Sequence, residues 1–217
     1  MVLMLLNSST YEIEFIVGTK LFFSEYECKI KDCNVDFFCV PESVLATLGT
    51  LKTNDSVLAV CKIPLHKDIL LYSNTSALVL DNIRDPGNMG TIIRIADWFG
   101  IDKILCSLTS VDLYNPKVIQ ASMGSFMNIN IFFTTILEYL KDIQLPVIGT
   151  FNKGEDISTT HIPNPGIVII GNESNGISKE LLPYISKCVS IKKYGNAESL
   201  NAAIAAGIVC YRWKNCN

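Results

Sequence analysis

The sequence predicts an α/β fold built on a parallel sheet, and three observations carry that prediction. First, short apolar runs recur through the second half of the chain, at Ala77–Leu80, Lys103–Cys106, Met127–Phe132, Pro146–Gly149, Ile167–Ile170 and Val189–Ile191. Second, amphipathic stretches alternate with them, at Met89–Phe99, Pro116–Ala121, Thr135–Lys141, Ser178–Tyr184 and Leu200–Lys214. Strands apolar on both faces need helices above and below them, which is the layering of a buried parallel sheet. Third, the loops after Leu80, Ile170 and Ile191 are dense in Asn, Asp, Glu and Gly. Open parallel sheets bind ligands beyond the carboxyl ends of their strands, so the chemistry is expected in these loops.

The first part of the chain reads as a smaller α/β piece. Met1–Leu6 looks like the end of a helix, and Glu14–Val17 a short strand closed by Gly18. Phe37–Val40 and Val57–Cys61 are further strands, with Pro41 and Ser43 opening a short helix between them. The expected organisation is a small domain over residues 1–66, a linker over 67–75 and the main domain over 76–217.

Composition narrows the class. The chain has 217 residues, 49% hydrophobic and 18% charged, enough for one sizeable core plus an appendage and too apolar for disorder. The net charge of −3 gives no global attraction to nucleic acid, so a polyanionic substrate would need a local basic patch. None of the 8 cysteines forms a C-x-x-C pair, and His66 and His161 are the only histidines. No metal site is therefore expected, and the cysteines fit small core residues in a reducing cytoplasm. Met1–Leu6 lacks the basic flank and cleavage site of a signal peptide, and no apolar run is long enough to span a bilayer.

In the first loop, Asp85-Pro86-Gly87-Asn88 is a good turn sequence and would serve a plain strand-to-helix connection equally well. Gly90 permits close approach, and Arg94 lies one helical turn further on the same face, so its guanidinium can overhang the loop. Asn82, Asp85, Asn88 and Arg94 then make a dense polar set. In the second loop, Gly171 suits a tight exit from its strand, and Glu173 lies too far upstream to cap the helix near Ser178. The glycine spacing is not G-x-G-x-x-G, and no P-loop is present, which speaks against a nucleotide-binding oxidoreductase. In the third, Ser199 reads as an N-cap, with Leu200 opening a helix rich in Ala and Gly that suits a dense core or a subunit interface.

Taken together and in order, the three loops resemble the motifs of the SpoU-type (TrmH-like) RNA 2′-O-ribose methyltransferases of the SPOUT superfamily. Asn82, Asp85-Pro86-x-Asn88-x-Gly90 and Arg94 look like the first motif; Gly171-x-Glu173-x-x-Gly176 looks like the second. Ile191, Gly195 and Glu198-Ser199-Leu200-Asn201 look like the third, and Asn115-Pro116-Lys117 and Ala121-Ser-Met-Gly124 also fit. The similarity runs over roughly residues 50 to 213. It implies a parallel-sheet α/β-knot with a deep C-terminal trefoil knot, a bound S-adenosylmethionine, and a homodimer with active sites at the interface. It also implies that Thr150, Gly171, Ile191 and Leu200 line the cofactor pocket, and that Asn88, Arg94, Glu173, Ser199 and Asn201 form the catalytic cluster.

Under this resemblance the chain is an RNA-binding enzyme with ribosomal RNA as its substrate, transfer RNA being the second choice. Arg94 would stabilise developing alkoxide charge and grip the neighbouring phosphate, Asn88, Ser199 and Asn201 would orient it and the ribose, and Glu173 would fix the loops. The alternative is an RNA-binding protein of the same fold that has lost catalysis; a base-methylating member of the superfamily fits the residues less well. Two departures stand out. Lys192 occupies the place of the family's usual proline, and the N-terminal domain looks like an abbreviated, ribosomal-protein-like substrate-binding domain short of basic residues.

Overall fold

Among the described residues, three strands and three helices come from the first of the two units into which the chain divides, Met1–Leu65. The computed structural model describes residues 1–49, 56–64 and 74–215. Most of the predicted linker, with His66 and Cys216, lies outside them. The elements of this unit are α1 (Val2–Leu5), β1 (Ile13–Gly18), α2 (Lys20–Asp32), β2 (Asp36–Cys39), α3 (Glu42–Leu48) and β3 (Val57–Cys61). β1 is central, parallel to β2 and antiparallel to β3.

The sequence reading assigned no element to α2, yet its signals are present. The Thr19 hydroxyl accepts from the Phe22 amide at 3.2 Å, satisfying one orphan donor of the first turn. Phe22, Phe23, Tyr26 and Ile30 then recur at helical spacing and pack with Leu6 and Ile16 into the unit's core.

The second unit, His66–Asn217, carries the larger sheet. Its strands are β4 (Ser76–Leu80), β5 (Lys103–Ser107), β6 (Asn130–Thr134), β7 (Val147–Asp156), β8 (Gly166–Ile170) and β9 (Lys187–Ser190). Its helices are α4 (Pro86–Trp98), α5 (Pro116–Ser122), α6 (Ile136–Lys141) and α7 (Ala202–Asn215). The sheet is parallel throughout, in the order β6-β5-β4-β8-β7-β9. The expected two-sided burial is present, since every residue of β8 is buried. Cys106 and Cys210 are buried core residues whose thiols burial pushes well up, so they stay neutral.

Several boundaries differ from the sequence reading. Residues 125–127 form a short 3-10 turn and β6 starts only at Asn130, because Met123 and Gly124 turn through left-handed conformations at φ +52° and +94°. Lys179–Tyr184 is 3-10 rather than α-helical; Pro183 inside it has no N–H and would clash with an α-helical carbonyl. β7 continues to Asp156 past a bulge, pairing again with Val189 and Ser190. α7 opens at Ala202, two residues beyond the predicted start.

The strand order places the site. From β4 the chain proceeds outward to β5 and β6, whereas β8, β7 and β9 lie on β4's other side. The connections leaving β4 and β8 therefore diverge, and a crevice opens between their carboxyl ends. The loop after β9 arrives at the same end of the sheet, which is parallel throughout.

Candidate functional site

A chain of hydrogen bonds joins the three loops. Asn201 Nδ2 donates to Asn88 Oδ1 at 2.8 Å, and Asn88 Nδ2 donates to Glu173 Oε1. The Asn88 amide thus accepts from one loop and donates to another, which fixes its orientation on both sides. Asn88 is buried, so losing either partner would strand a polar group away from water.

Each member is also anchored locally. Asp85 Oδ1 accepts from the Asn88 amide at 2.7 Å, capping α4 with Pro86 at its first position. Asn201 Oδ1 accepts from the amides of Ala203 and Ile204 at 2.9 and 3.2 Å, so Asn201 is the cap of α7 that the sequence reading gave to Ser199. Asn172 Nδ2 donates to the Asn82 carbonyl at 2.8 Å and reaches Glu173 Oε2 at 3.4 Å. Asn82 adopts φ +59°, its amide donates to Ser107 Oγ at 2.8 Å, and its side chain accepts from Arg84 Nε at 2.8 Å.

Sequence reasoning missed Asp81 and Asn172. Asp81 is buried, and its Oδ2 accepts from the Ser178 amide at 2.7 Å, clasping the second loop to the end of β4. An acid directly after a strand that is buried from Ala77 to Leu80 was the available signal. Asn172 has the weaker signal of following Gly171 in a polar turn.

Beside this network lies a cavity of about 670 Å³, within the usual range of roughly 300–1,000 Å³ for small-molecule sites. All four residues expected at the cofactor line it: Thr150, Gly171, Ile191 and Leu200, together with Glu173 and Ser199. The Thr150 hydroxyl is spent on the Ile169 carbonyl at 2.9 Å, which ties β7 to β8. Gly171 is required by the fold itself. A Cβ there would stand 2.5 Å from the Ile177 amide nitrogen, where the loop returns across the bridge between Asn172 and Gly176.

Arg94 is placed elsewhere. It is exposed, lies outside the hydrogen-bonded network, and lines a shallow groove with Thr91, Ile95, Trp98 and Phe99. The predicted overhang of the first loop does not form within one chain, because α4 carries Arg94 away from the sheet end. Gly90 faces α5 rather than a ligand, its would-be Cβ lying 2.6 Å from the Val118 carbonyl oxygen and the Ala121 Cβ. Among the described residues no cluster of His, Cys, Asp and Glu could hold a metal ion.

Polar loops meeting beside a cofactor-sized cavity at a parallel sheet's switch point define a cofactor-using α/β protein. More narrowly, residues 75–211 match the model of the SpoU rRNA Methylase family, and the chain belongs to that family. It is 28% identical over 184 residues to the 23S rRNA (guanosine(2553)-2′-O)-methyltransferase RlmP of Bacillus subtilis, covering 83% of this chain and 73% of that one. A tRNA/rRNA methyltransferase of Synechocystis, itself uncharacterized, is 30% identical over 190 residues, covering 82% and 67% of the two chains. Among solved structures, the AdoMet-bound rRNA methyltransferase of Sinorhizobium meliloti superposes with a TM-score of 0.82 at 26% identity, covering 94% of this chain and 80% of that one.

Proposed function

We propose that this chain transfers a methyl group from S-adenosylmethionine to a ribose 2′-hydroxyl of ribosomal RNA. The observation that carries the reading is the bonded set Asn88, Glu173 and Asn201 at the edge of the cavity lined by Thr150, Gly171, Ile191 and Leu200. The residues fit the cofactor: a concave apolar wall from Val189, Ile191 and Val209 meets the backbone polar groups of strand-end loops. The relatives' names, a 23S rRNA 2′-O-methyltransferase and an AdoMet-bound rRNA methyltransferase, point the same way.

S-adenosylmethionine supplies an electrophilic methyl group on a sulfonium. Transfer would join the ribose oxygen to that carbon in place of the sulfur, with the hydroxyl proton released to solvent. The chain's contribution is alignment, a factor worth on the order of 7–11 kcal/mol in well-oriented reactions. Asn88 and Asn201, locked by each other and by Glu173, present a preset edge to the ribose, and Ser199 stands exposed beside them.

A homodimer completes the assignment. Trp98, Ile204 and Tyr211 are 82%, 56% and 62% exposed on α4 and α7, with Arg94 beside Trp98 in the same groove. An apolar patch of this kind marks a protein interface. A second copy seated on it would bring Arg94 toward the partner's cavity, where its guanidinium holds a phosphate and stabilises alkoxide charge. The C-terminal segment is assigned a trefoil knot, and Met1–Leu65 the role of substrate-binding domain.

The test is isothermal titration with S-adenosylmethionine, followed by transfer of its labelled methyl group to in vitro transcribed large-subunit rRNA and mapping of the product. Binding with label on a ribose is the expected result. Absence of cofactor binding would favour the alternative of a catalytically inactive RNA-binding protein, and label on a base would overturn the ribose assignment.

A further inference from the structure

We propose that the loop after β9, with Lys192, Lys193 and Tyr194, joins Lys153 of β7 to form the contact that grips an unpaired stretch of RNA at the cavity mouth. The lysines hold phosphates and the Tyr194 ring stacks on a base. The proposal rests on the RNA-methylation reading above and names where its substrate is held.

Charge makes a local contact necessary. Residues 1–65 contain 5 Lys or Arg against 8 Asp or Glu, and residues 66–217 contain 13 of each. The acidic first unit offers a polyanion no net attraction, and the second is neutral overall, so RNA must be met by a cluster. Lys153, Lys192 and Lys193 converge on the one cavity, and all are exposed. Lys153 and Lys193 make no ion pair among the described residues; the neighbouring acids are Asp156, which feels Lys192, Glu155, which pairs with Lys187, and Glu173 and Glu198 of the cavity lining.

The aromatic ring decides the kind of ligand. Tyr194 is 88% exposed, and the Lys192 Nζ sits 5.3 Å from its ring centroid. A ring left in water beside cations is the pairing that holds single-stranded nucleic acid, where stacking and phosphate contact act together. Duplex RNA keeps its bases inside the helix, out of reach of such a ring. The fold itself leaves the loop open: a Cβ at Gly195 would meet nothing within 4 Å, and residues 192–200 are all exposed.

The experiment uses the full chain and fluorescein-labelled oligouridylate, with S-adenosylmethionine titrated separately. Tyr194→Ala is expected to weaken oligonucleotide binding about tenfold, and Tyr194→Phe to restore it, because stacking needs the ring and not the hydroxyl. Lys192→Gln with Lys193→Gln should flatten the plot of log affinity against log salt by about 1.4, from a slope of roughly 0.7 per phosphate contact. Because these side chains also line the cavity, the readout is the comparison of the two ligands: oligonucleotide affinity falls by more than S-adenosylmethionine affinity in every variant. Unaltered oligonucleotide affinity and salt slope, or a loss confined to cofactor binding, overturns the proposal. So does a wild-type chain that binds no oligonucleotide. A wild-type chain that binds oligonucleotide as described but not the cofactor leaves this contact standing and removes the methyltransferase reading.

Discussion

Asn88 holds two loops with a single amide, and that economy makes it sensitive to small changes. Asn88→Asp keeps the shape but sets a second carboxylate against Glu173, replacing a donor with a like charge. Asn201→Ala removes both the link to Asn88 and the α7 cap, a cap worth about 1 kcal/mol. Each variant is expected to lower kcat/KM for methylation about 100-fold, the scale set by misplacing reacting groups by about an ångström. Steady-state methyl transfer, with circular dichroism to verify folding, checks this. The grouping was legible only through the resemblance of the three loops, taken in order, to the family's motifs, since the first loop alone read equally well as a turn and the third as a cap. Arg94 was less so. Six residues beyond Asn88, it sits about 9 Å further along the helix and about 120° around it, so sharing a motif does not place it in the same cluster.

At the scale of elements, the sequence disclosed the strands of the large sheet better than the helices between them. β4, β5 and β8 are apolar on both faces, and that signal survives without any neighbouring context. α2 escaped because its cap, Thr19, follows directly on a strand and its apolar face includes two adjacent phenylalanines that blur the helical period. The β7 extension pairs Glu155 and Asp156 with Val189 and Ser190, dictated by β9 and by nothing in its own composition. The contact of α4 with α5 is equally tertiary, and it gives Gly90 its purpose. Gly90→Ala must move the Val118 carbonyl or the Ala121 side chain, both 2.6 Å from the new carbon. The expected cost is about 1–3 kcal/mol, read as a lower midpoint in urea with an unchanged slope.

For the molecule as a whole, the exposed face of α4 and α7 is the feature that composition cannot reveal. Phe99 and Tyr211 meet edge-to-face across these helices, with centroids 6.4 Å apart, while Trp98 and Ile204 extend the patch into solvent. Trp98→Glu with Tyr211→Glu is expected to convert a dimer to a monomer in sedimentation velocity. Methylation should fall with it, whereas S-adenosylmethionine binding, whose expected residues come from one chain, should persist. A wild-type chain that sediments as a monomer at micromolar concentration would remove the second copy from the reading.

The bond between Asn88 and Asn201 spans 113 positions of the chain. During synthesis, then, the first loop waits for this partner until Asn201 has left the ribosome. A nascent chain halted before residue 191 would own every strand of the large sheet and still lack one wall of its reaction chamber. Such distant closures are slow steps in folding. Assembly of the pocket accordingly waits for residues 191–201, and a chain ended just after β9 holds the sheet without a working pocket.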